Sequence, residues 1–334
     1  MKILFIRFSS IGDIVLTTSP LRSLKKGIPN AQIHYLTLEE YAPLLEGNSS
    51  IDRLHLLVRS TSVGQLISVG NYLNHCNFDI VVDMHDSLRS KIIRNRIKSG
   101  THYYLKKPRW KRFKLFEFHQ NDFQNDFSQL TLFHSVIKDI LPQEYHSSTS
   151  LFVSENEKEE AKLLLSKNGI KGEQYLVCIP GAAWRNKTWE TDNYLELFKY
   201  FMKNKFKIIL LGTEKDVICN DCALENNSLI NMAGKTEFRQ SLAIISQAQL
   251  VIGSDTGFVH AAEALGIPAV MLLGPTSTET GAGVTRSMSK NIQLSHIWCR
   301  PCSQNGSRPC YRSEKFCMNG IHPDTVINQI AEMI

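Results

Sequence analysis

The residues with the plainest chemical purpose lie between Leu250 and Pro268. An apolar run, Leu250–Ser254, delivers Asp255-Thr256-Gly257 to the start of a helix on which His260 follows. A helix start presents backbone N–H groups that lack intrahelical partners, together with the positive end of the helix dipole. An anionic diphosphate would be held there without a metal. A second apolar run, Tyr175–Pro180, leads into Gly181-Ala182-Ala183-Trp184-Arg185-Asn186-Lys187-Thr188-Trp189. Small residues let a diphosphate approach the backbone, and Lys187 supplies a mobile point charge for its oxygens. Trp184 and Trp189 read equally well as core aromatics. A third run ends in Gly212-Thr213-Glu214, where a carboxylate can accept hydrogen bonds from ribose hydroxyls or simply sit in a solvated loop.

At the other end of the chain, the apolar start closes in Ser9-Ser10-Ile11-Gly12-Asp13 before a helix carrying Leu16, Leu21 and Leu24. A small-residue turn at a strand's carboxyl end aims backbone N–H groups and one side chain, Asp13, into the open edge of an α/β sheet. The plain alternative is an acidic first-turn residue stabilised by the helix dipole. Only Gly12 of a Gly-x-Gly-x-x-Gly fingerprint is present, which argues against an NAD enzyme. No Asp-x-Asp pair stands at a strand end, and Asp83-x-x-Asp86 has a different spacing, so divalent metal is expected to be dispensable. Cys299, Cys302, Cys310 and Cys317 fall close together; reduced structural thiols, a structural zinc site and disulfides all remain open for them. Cys76, Cys178, Cys219 and Cys222 read as ordinary core or surface residues.

These groups need elements to hold them. Apolar, β-branched runs recur at Ile3–Phe8, Ile33–Leu38, Leu54–Val58 and Ile80–Met84, then at Tyr175–Pro180, Ile208–Gly212, Leu229–Ala233, Leu250–Ser254 and Ala269–Gly274. Helical stretches separate them, the pattern of parallel sheets covered on both faces. Two such series in 334 residues predict two α/β domains. The polar stretch Gln143–Ser150 is the expected linker. It divides residues 1–150 from residues 151–320, and Val326, Ile327, Ile330 and Ile334 predict a closing helix within 321–334. Ser154 and Glu157 predict the start of another helix, which ends near Asn168-Gly169. No fixed-period repeat points to a solenoid or propeller.

Composition narrows the partners. No window approaches the roughly 20 apolar residues of a membrane helix, and the apolar start leads into a turn rather than a cleavage site. A cytoplasmic location with mostly reduced cysteines is the expectation. The net charge is +6, and residues 1–150 carry the whole excess, with 19 Lys and Arg against 13 Asp and Glu. Arg89 to Lys114 alone holds 11 basic residues, among them Arg94, Arg96, Lys111 and Arg112, and no acidic one. Such a one-sign field faces an anionic partner or forms a solvated face. Arg109-Trp110-Lys111-Arg112-Phe113-Lys114 adds aromatics that suit a membrane surface. With no reader motif, nucleic acid is not expected as a partner.

In order along the chain, Ser-x-Gly-Asp at 10–13, Lys-x-Trp at 187–189, Gly-x-Glu at 212–214, Ala-Gly-Lys-Thr at 233–236, Asp-Thr-Gly-x-x-His at 255–260 and Gly-Pro-Thr at 274–276 resemble glycosyltransferase family 9, the lipopolysaccharide heptosyltransferases. The resemblance implies a GT-B architecture, two Rossmann-like domains facing across a cleft, the first binding acceptor and the second the nucleotide sugar. It implies Asp13 as general base, Lys187 on the diphosphate and Glu214 on the ribose. Thr236, Asp255, Thr256, Gly257 and His260, with Gly181 and Thr188 beside them, would line the donor pocket. Ser10, Gly12, Arg89, Arg94, Arg96, Lys111 and Arg112 would serve the acceptor. The implied reaction is inverting transfer of heptose from ADP-heptose, with no cofactor, to a phosphorylated lipid A–Kdo core. The enzyme would act on the cytoplasmic face of the inner membrane. A family 9 transferase for another sugar nucleotide, or a non-catalytic saccharide- or lipid-binding protein on the same fold, are the alternatives.

Overall fold

The computed structural model describes residues 1–141 and 147–334, so part of the expected linker lies outside the described residues. The chain forms two compact units, one of Met1–Pro108 with Gln129–Phe152, the other of Arg109–Ser128 with Val153–Ile334. The division is therefore not linear. The segment Arg109–Ser128 groups with the second unit, which also contains the closing helix.

The first unit is built on five parallel strands, β1 (Lys2–Ile6), β2 (Gln32–Leu38), β3 (Arg53–Leu57), β4 (Ile80–Asp83) and β5 (Thr101–Tyr104), in the order β3-β2-β1-β4-β5. Ile3, Leu4, Phe5 and Ile6 are all fully buried. Because successive side chains leave a strand on opposite faces, both faces of β1 are covered, as a central parallel strand requires. The helices are α1 (Ile11–Gly27), α2 (Val63–Asn74) and α3 (Leu88–Arg94), with α4 (Arg109–Phe118) in the second unit and α5 (Gln129–Ile137) back in the first. α2 starts where Ser62 and Gln65 exchange hydrogen bonds between side chain and backbone, which satisfies two N–H groups that the helix leaves over.

The second unit carries six parallel strands, β6 (Tyr175–Ile179), β7 (Lys207–Leu210), β8 (Ile230–Asn231), β9 (Leu250–Ser254), β10 (Ala269–Leu273) and β11 (Lys290–Gln293), in the order β11-β10-β9-β6-β7-β8. Its helices are α6 (Glu155–Lys167), α7 (Thr191–Lys203), α8 (Val217–Glu225), α9 (Phe238–Ile245), α10 (Gly257–Ala264), α11 (Phe316–Asn319) and α12 (Pro323–Ala331). α6 begins at Ser154, as expected, with Glu157 accepting from the Ser154 N–H at 2.8 Å. Trp189, Tyr194, Phe198, Phe201 and Ile330 share one core, so α12 is sealed onto the sheet through α7. No helix among the described residues is long and apolar enough to cross a membrane.

In each sheet the chain reverses its direction of winding at one place: between β1 and β4 in the first unit, and between β6 and β9 in the second. The loops leaving two such neighbouring strands run to opposite sides and open a crevice at the carboxyl edge, where α/β folds bind ligands.

Candidate active site

At the β6/β9 crevice, Asp255 follows β9 directly, Thr256 precedes α10, Gly257 is its first residue, and His260 lies one turn in. Lys187 arrives from the β6 side in a short 3-10 turn, Arg185–Lys187. Its Nζ stands 3.0 Å from Asp255 Oδ2, with 10% and 15% of the two side chains exposed. Burial alone would push the Asp255 carboxyl up, but the charges of Lys187 and His260 and the Lys187 hydrogen bond hold it below the usual carboxylate range. Lys187, expected as a point charge for phosphate oxygens, is thus paired within the protein: a desolvated ammonium needs a partner, and Asp255 is that partner. His260 is buried, and its Nδ1 has no hydrogen-bond partner among the described residues.

A loop that no motif had marked holds Lys187 from behind. Gly306 has φ +83, and a Cβ on it would lie 2.6 Å from both Cγ and Cδ of Lys187. Asn186 Nδ2 donates to the Arg308 carbonyl at 2.5 Å, tying the same two loops together. Trp189 belongs to the core and donates through Nε1 to the Ile321 carbonyl at 2.9 Å, whereas Trp184 is exposed.

The next two loops of this edge touch each other. The Gly234 N–H donates to the Gly212 carbonyl at 3.0 Å, and a Cβ on Gly234 would sit 3.0 Å from the Glu214 Cα. Glu214 and the Ala233–Thr236 turn are thus neighbours; Glu214 is exposed, and Thr236 Oγ1 lies 2.8 Å from Ser241 Oγ. A cavity of about 500 Å³ opens between the β6 and β7 loops. Gly181, Thr188, Lys215, Asp216 and Lys315 line it, while Lys187, Glu214, Asp255 and His260 stand outside its lining. Asp216 packs directly on Gly181, leaving no room for a Cβ there, and accepts hydrogen bonds from the Thr213 N–H and Oγ1.

In the first unit, Asp13 lies in the first turn of α1, three residues after Ser10 and one after Gly12. Its Oδ2 accepts from Ser10 Oγ at 2.9 Å and Ser10 N at 3.3 Å and pairs with Arg7 at 2.6 Å. The helix-start role and an exposed carboxylate edge coexist, since 28% of the side chain remains accessible. Arg7, buried at the end of β1, also donates to Ser9 O at 2.6 Å and to Met84 O at 2.7 Å. It thereby joins the loop after β1 to the loop after β4. His85 follows Met84, with its ring 5.0 Å from that of Phe8, over which Arg89 lies at 5.7 Å. Burial, with the Arg7 and Lys107 charges, lowers the His85 pKa to about 3, so the ring is neutral. Neither Arg7 nor His85 was singled out from the sequence. A charged residue breaking the end of an apolar strand was the available signal for Arg7.

Of the first unit's basic residues assigned to the acceptor, Arg89 lies over the Phe8 ring at this edge. Arg94 turns inward, 3.1 Å from the fully buried Asp83 and 4.5 Å over the Tyr104 ring, so its charge is already matched. Arg96 lies beyond the carboxyl end of α3, toward the opposite edge of the sheet, with its stem against Gly70. Lys111 and Arg112 are on α4, in the second unit. Asp83 and Asp86 act structurally: Asp83 accepts the N–H groups of His85 and Asp86, and Asp86 pairs with Lys91. All eight cysteines are free thiols. Among the described residues no group of three or more His, Cys, Asp or Glu side chains comes together to hold a metal, the Cys299, Cys302, Cys310 and Cys317 group included.

Comparison with known proteins places this geometry. Lipopolysaccharide heptosyltransferase 3 of Escherichia coli (strain K12) is 24% identical over 318 residues, covering 88% of this chain and 83% of that one. The structure of E. coli ADP-heptose lps heptosyltransferase II superposes with a TM-score of 0.77 at 21% identity, covering 100% of this chain and 98% of the other. E. coli heptosyltransferase WaaC with ADP-2-deoxy-2-fluoro heptose gives a TM-score of 0.71 at 15% identity, with 100% of both chains covered. The likeness extends over both units and identifies the fold as GT-B. Residues 66–311, from α2 through the loop that backs Lys187, match the profile of glycosyltransferase family 9 (heptosyltransferase), and the chain therefore belongs to that family of sugar-transferring enzymes.

Proposed function

We propose that the chain transfers heptose from ADP-heptose to the inner core of lipopolysaccharide with inversion at the anomeric carbon. The observation that carries this reading is the Lys187–Asp255 pair at the β6/β9 crevice, set beside the start of α10. A fixed ammonium and free backbone N–H groups suit a leaving group that gains negative charge as it departs. Gly181, Thr188, Thr236, Thr256, Gly257 and His260 would border the donor, and Glu214 would accept the ribose hydroxyls.

In the reaction an acceptor hydroxyl oxygen forms its bond to the anomeric carbon as the bond to the diphosphate breaks. Asp13 takes the hydroxyl proton, and ADP leaves with the electron pair. One carboxylate suffices for a single displacement. The Arg7 ion pair holds that carboxylate in place before the acceptor arrives. Ser10, Gly12 and Arg89 would border the acceptor, whose phosphates and Kdo carboxylates match the basic first half of the chain.

With Lys187 and the α10 N–H groups offsetting the charge on ADP, divalent metal has no necessary role. Addition of EDTA is expected to leave turnover intact, and a strict Mg²⁺ requirement would contradict this part of the reading. Donor choice tests the whole: turnover with ADP-heptose and none with UDP- or GDP-sugars is expected, and the reverse result would make this a family member for another sugar.

The acceptor is anchored in a membrane, and α4 offers a surface for it. Trp110 and Phe118 are each 67% exposed, Phe113 stacks on Trp110 at 5.4 Å, and Arg109 and Lys111 are exposed beside them. Aromatic rings flanked by cations favour the headgroup layer of an anionic bilayer. Peripheral attachment to the cytoplasmic face of the inner membrane follows as part of the proposal.

A further inference from the structure

The loop after β4 carries a ring whose nitrogens nothing among the described residues uses. His85 is half-buried on the loop after β4, and neither ring nitrogen has a hydrogen-bond partner among the described residues; Nδ1 is closed off from solvent altogether. With nothing bound to the enclosed Nδ1, no partner among the described residues fixes the tautomer, so the accessible Nε2 is left to meet a ligand as donor or acceptor. Its position is fixed on three sides. The Met84 carbonyl just before it is held by Arg7 Nη1, the Asp83 carboxylate accepts its own N–H at 3.0 Å, and its ring lies against Phe8. Arg7 reaches Asp13 with its other amino group, and Asp13 lies close enough to His85 for its charge to act on the ring.

We infer that His85 is an acceptor-binding residue, its half-exposed imidazole edge hydrogen-bonding a sugar hydroxyl of the acceptor and so turning the attacking hydroxyl toward Asp13. The chemistry of the ring selects this ligand. Burial, with the positive charges of Arg7, Lys107 and Arg89 around it, keeps the ring neutral, so its one accessible nitrogen donates in one tautomer and accepts in the other. A phosphate or carboxylate would call for a cation, which Arg89 next to it already supplies. A sugar hydroxyl both donates and accepts, and a neutral imidazole matches it either way. The inference rests on the reading of Asp13 as the base at this edge.

The test compares His85→Phe, which keeps the ring volume and removes the hydrogen bond, with His85→Gln, whose amide reaches the position of Nε2. The acceptor probe is de-acylated core oligosaccharide from truncated lipopolysaccharide. For His85→Phe, acceptor KM is expected to rise about two- to tenfold, the range of one lost hydrogen bond, with donor KM unchanged and partial recovery in His85→Gln. An unchanged acceptor KM in a folded His85→Phe variant overturns the inference. Should that variant fail to fold, the imidazole ¹⁵N resonances of His85 in the wild-type enzyme decide: they shift when the probe is added, or the inference falls. Asp13→Asn separates the two claims. Retained turnover in Asp13→Asn removes the base, whereas lost turnover there with no effect at His85 removes only the present inference. If no core oligosaccharide accepts sugar, the underlying reading fails and takes this one with it.

Discussion

Arg7 shows how much one residue can organise. Its guanidinium donates to Ser9 O and Met84 O, pairs with Asp13 and lies 5.4 Å over the Phe133 ring. A buried guanidinium must find partners for its N–H groups, and here those partners lie on the loops after β1 and β4. That Asp13, Lys187, Glu214 and Asp255–His260 follow strand ends was legible in the sequence, because small residues and a charge after an apolar run form a local pattern. Arg7 and His85 were not, because their importance arises from contacts between loops far apart in the chain. Single residues also set the acid response. His34 Nδ1 and His55 Nε2 share a hydrogen bond of 2.9 Å, and burial lowers both pKa values, that of His55 to about 4. His85 falls to about 3. Unfolded, these rings take a proton near pH 6.5; folded, they resist it. The unfolded chain therefore binds more protons below pH 6.5, and stability falls as the pH drops toward 4. Thermal melts from pH 7 to pH 5, above the range where carboxylates titrate, should show Tm falling; a flat or rising Tm would contradict the neutral-histidine assignment.

At the scale of elements, the strands with continuous apolar runs were legible almost to the residue; β9 spans Leu250–Ser254 as expected. β5 (Thr-His-Tyr-Tyr) and β11 (Lys-Asn-Ile-Gln) were not. Both lie at sheet edges, where one side of the strand has no ladder partner and polar side chains are tolerated, so no apolar run marks them. The loop from Ser303 to Arg308 escaped notice for the same reason: nothing in its composition says that it backs Lys187. Gly306→Ala tests that contact. The left-handed φ alone should destabilise the protein by about 1–2 kcal/mol, and the added methyl must displace the Lys187 stem. Donor KM is expected to rise about tenfold, as for a weakened charge-assisted hydrogen bond. Gly172→Ala is the control, since Gly172 has φ +99 and nothing within 4 Å of a Cβ. Equal donor KM in the two variants would show that the loop does not position Lys187.

On the scale of the whole molecule, two parallel α/β sheets followed from alternating runs in the sequence, but the path of the chain between the units did not. The segment Arg109–Ser128 leaves the first series and groups with the second, a long-range packing choice that local periodicity cannot encode. It brings α4, with Trp110, Phe113 and Lys111, to the unit with the Lys187–Asp255 pair, while Asp13 and Arg89 belong to the other. Anionic vesicles should bind the protein at low salt and release it as salt rises, because exposed charges are screened. Reversing charge at Lys111, Arg112 and Lys114 should weaken this binding; indifference to vesicles, or to the reversal, would make α4 an ordinary solvated helix. The most direct measurement for the account as a whole is mass spectrometry of truncated core acceptors of defined length after incubation with ADP-heptose. The wild-type enzyme should add one heptose to one of them, and Asp13→Asn should do so about 10²- to 10⁴-fold more slowly. Undiminished transfer by Asp13→Asn, or no heptose added to any acceptor by the wild type, would contradict the account.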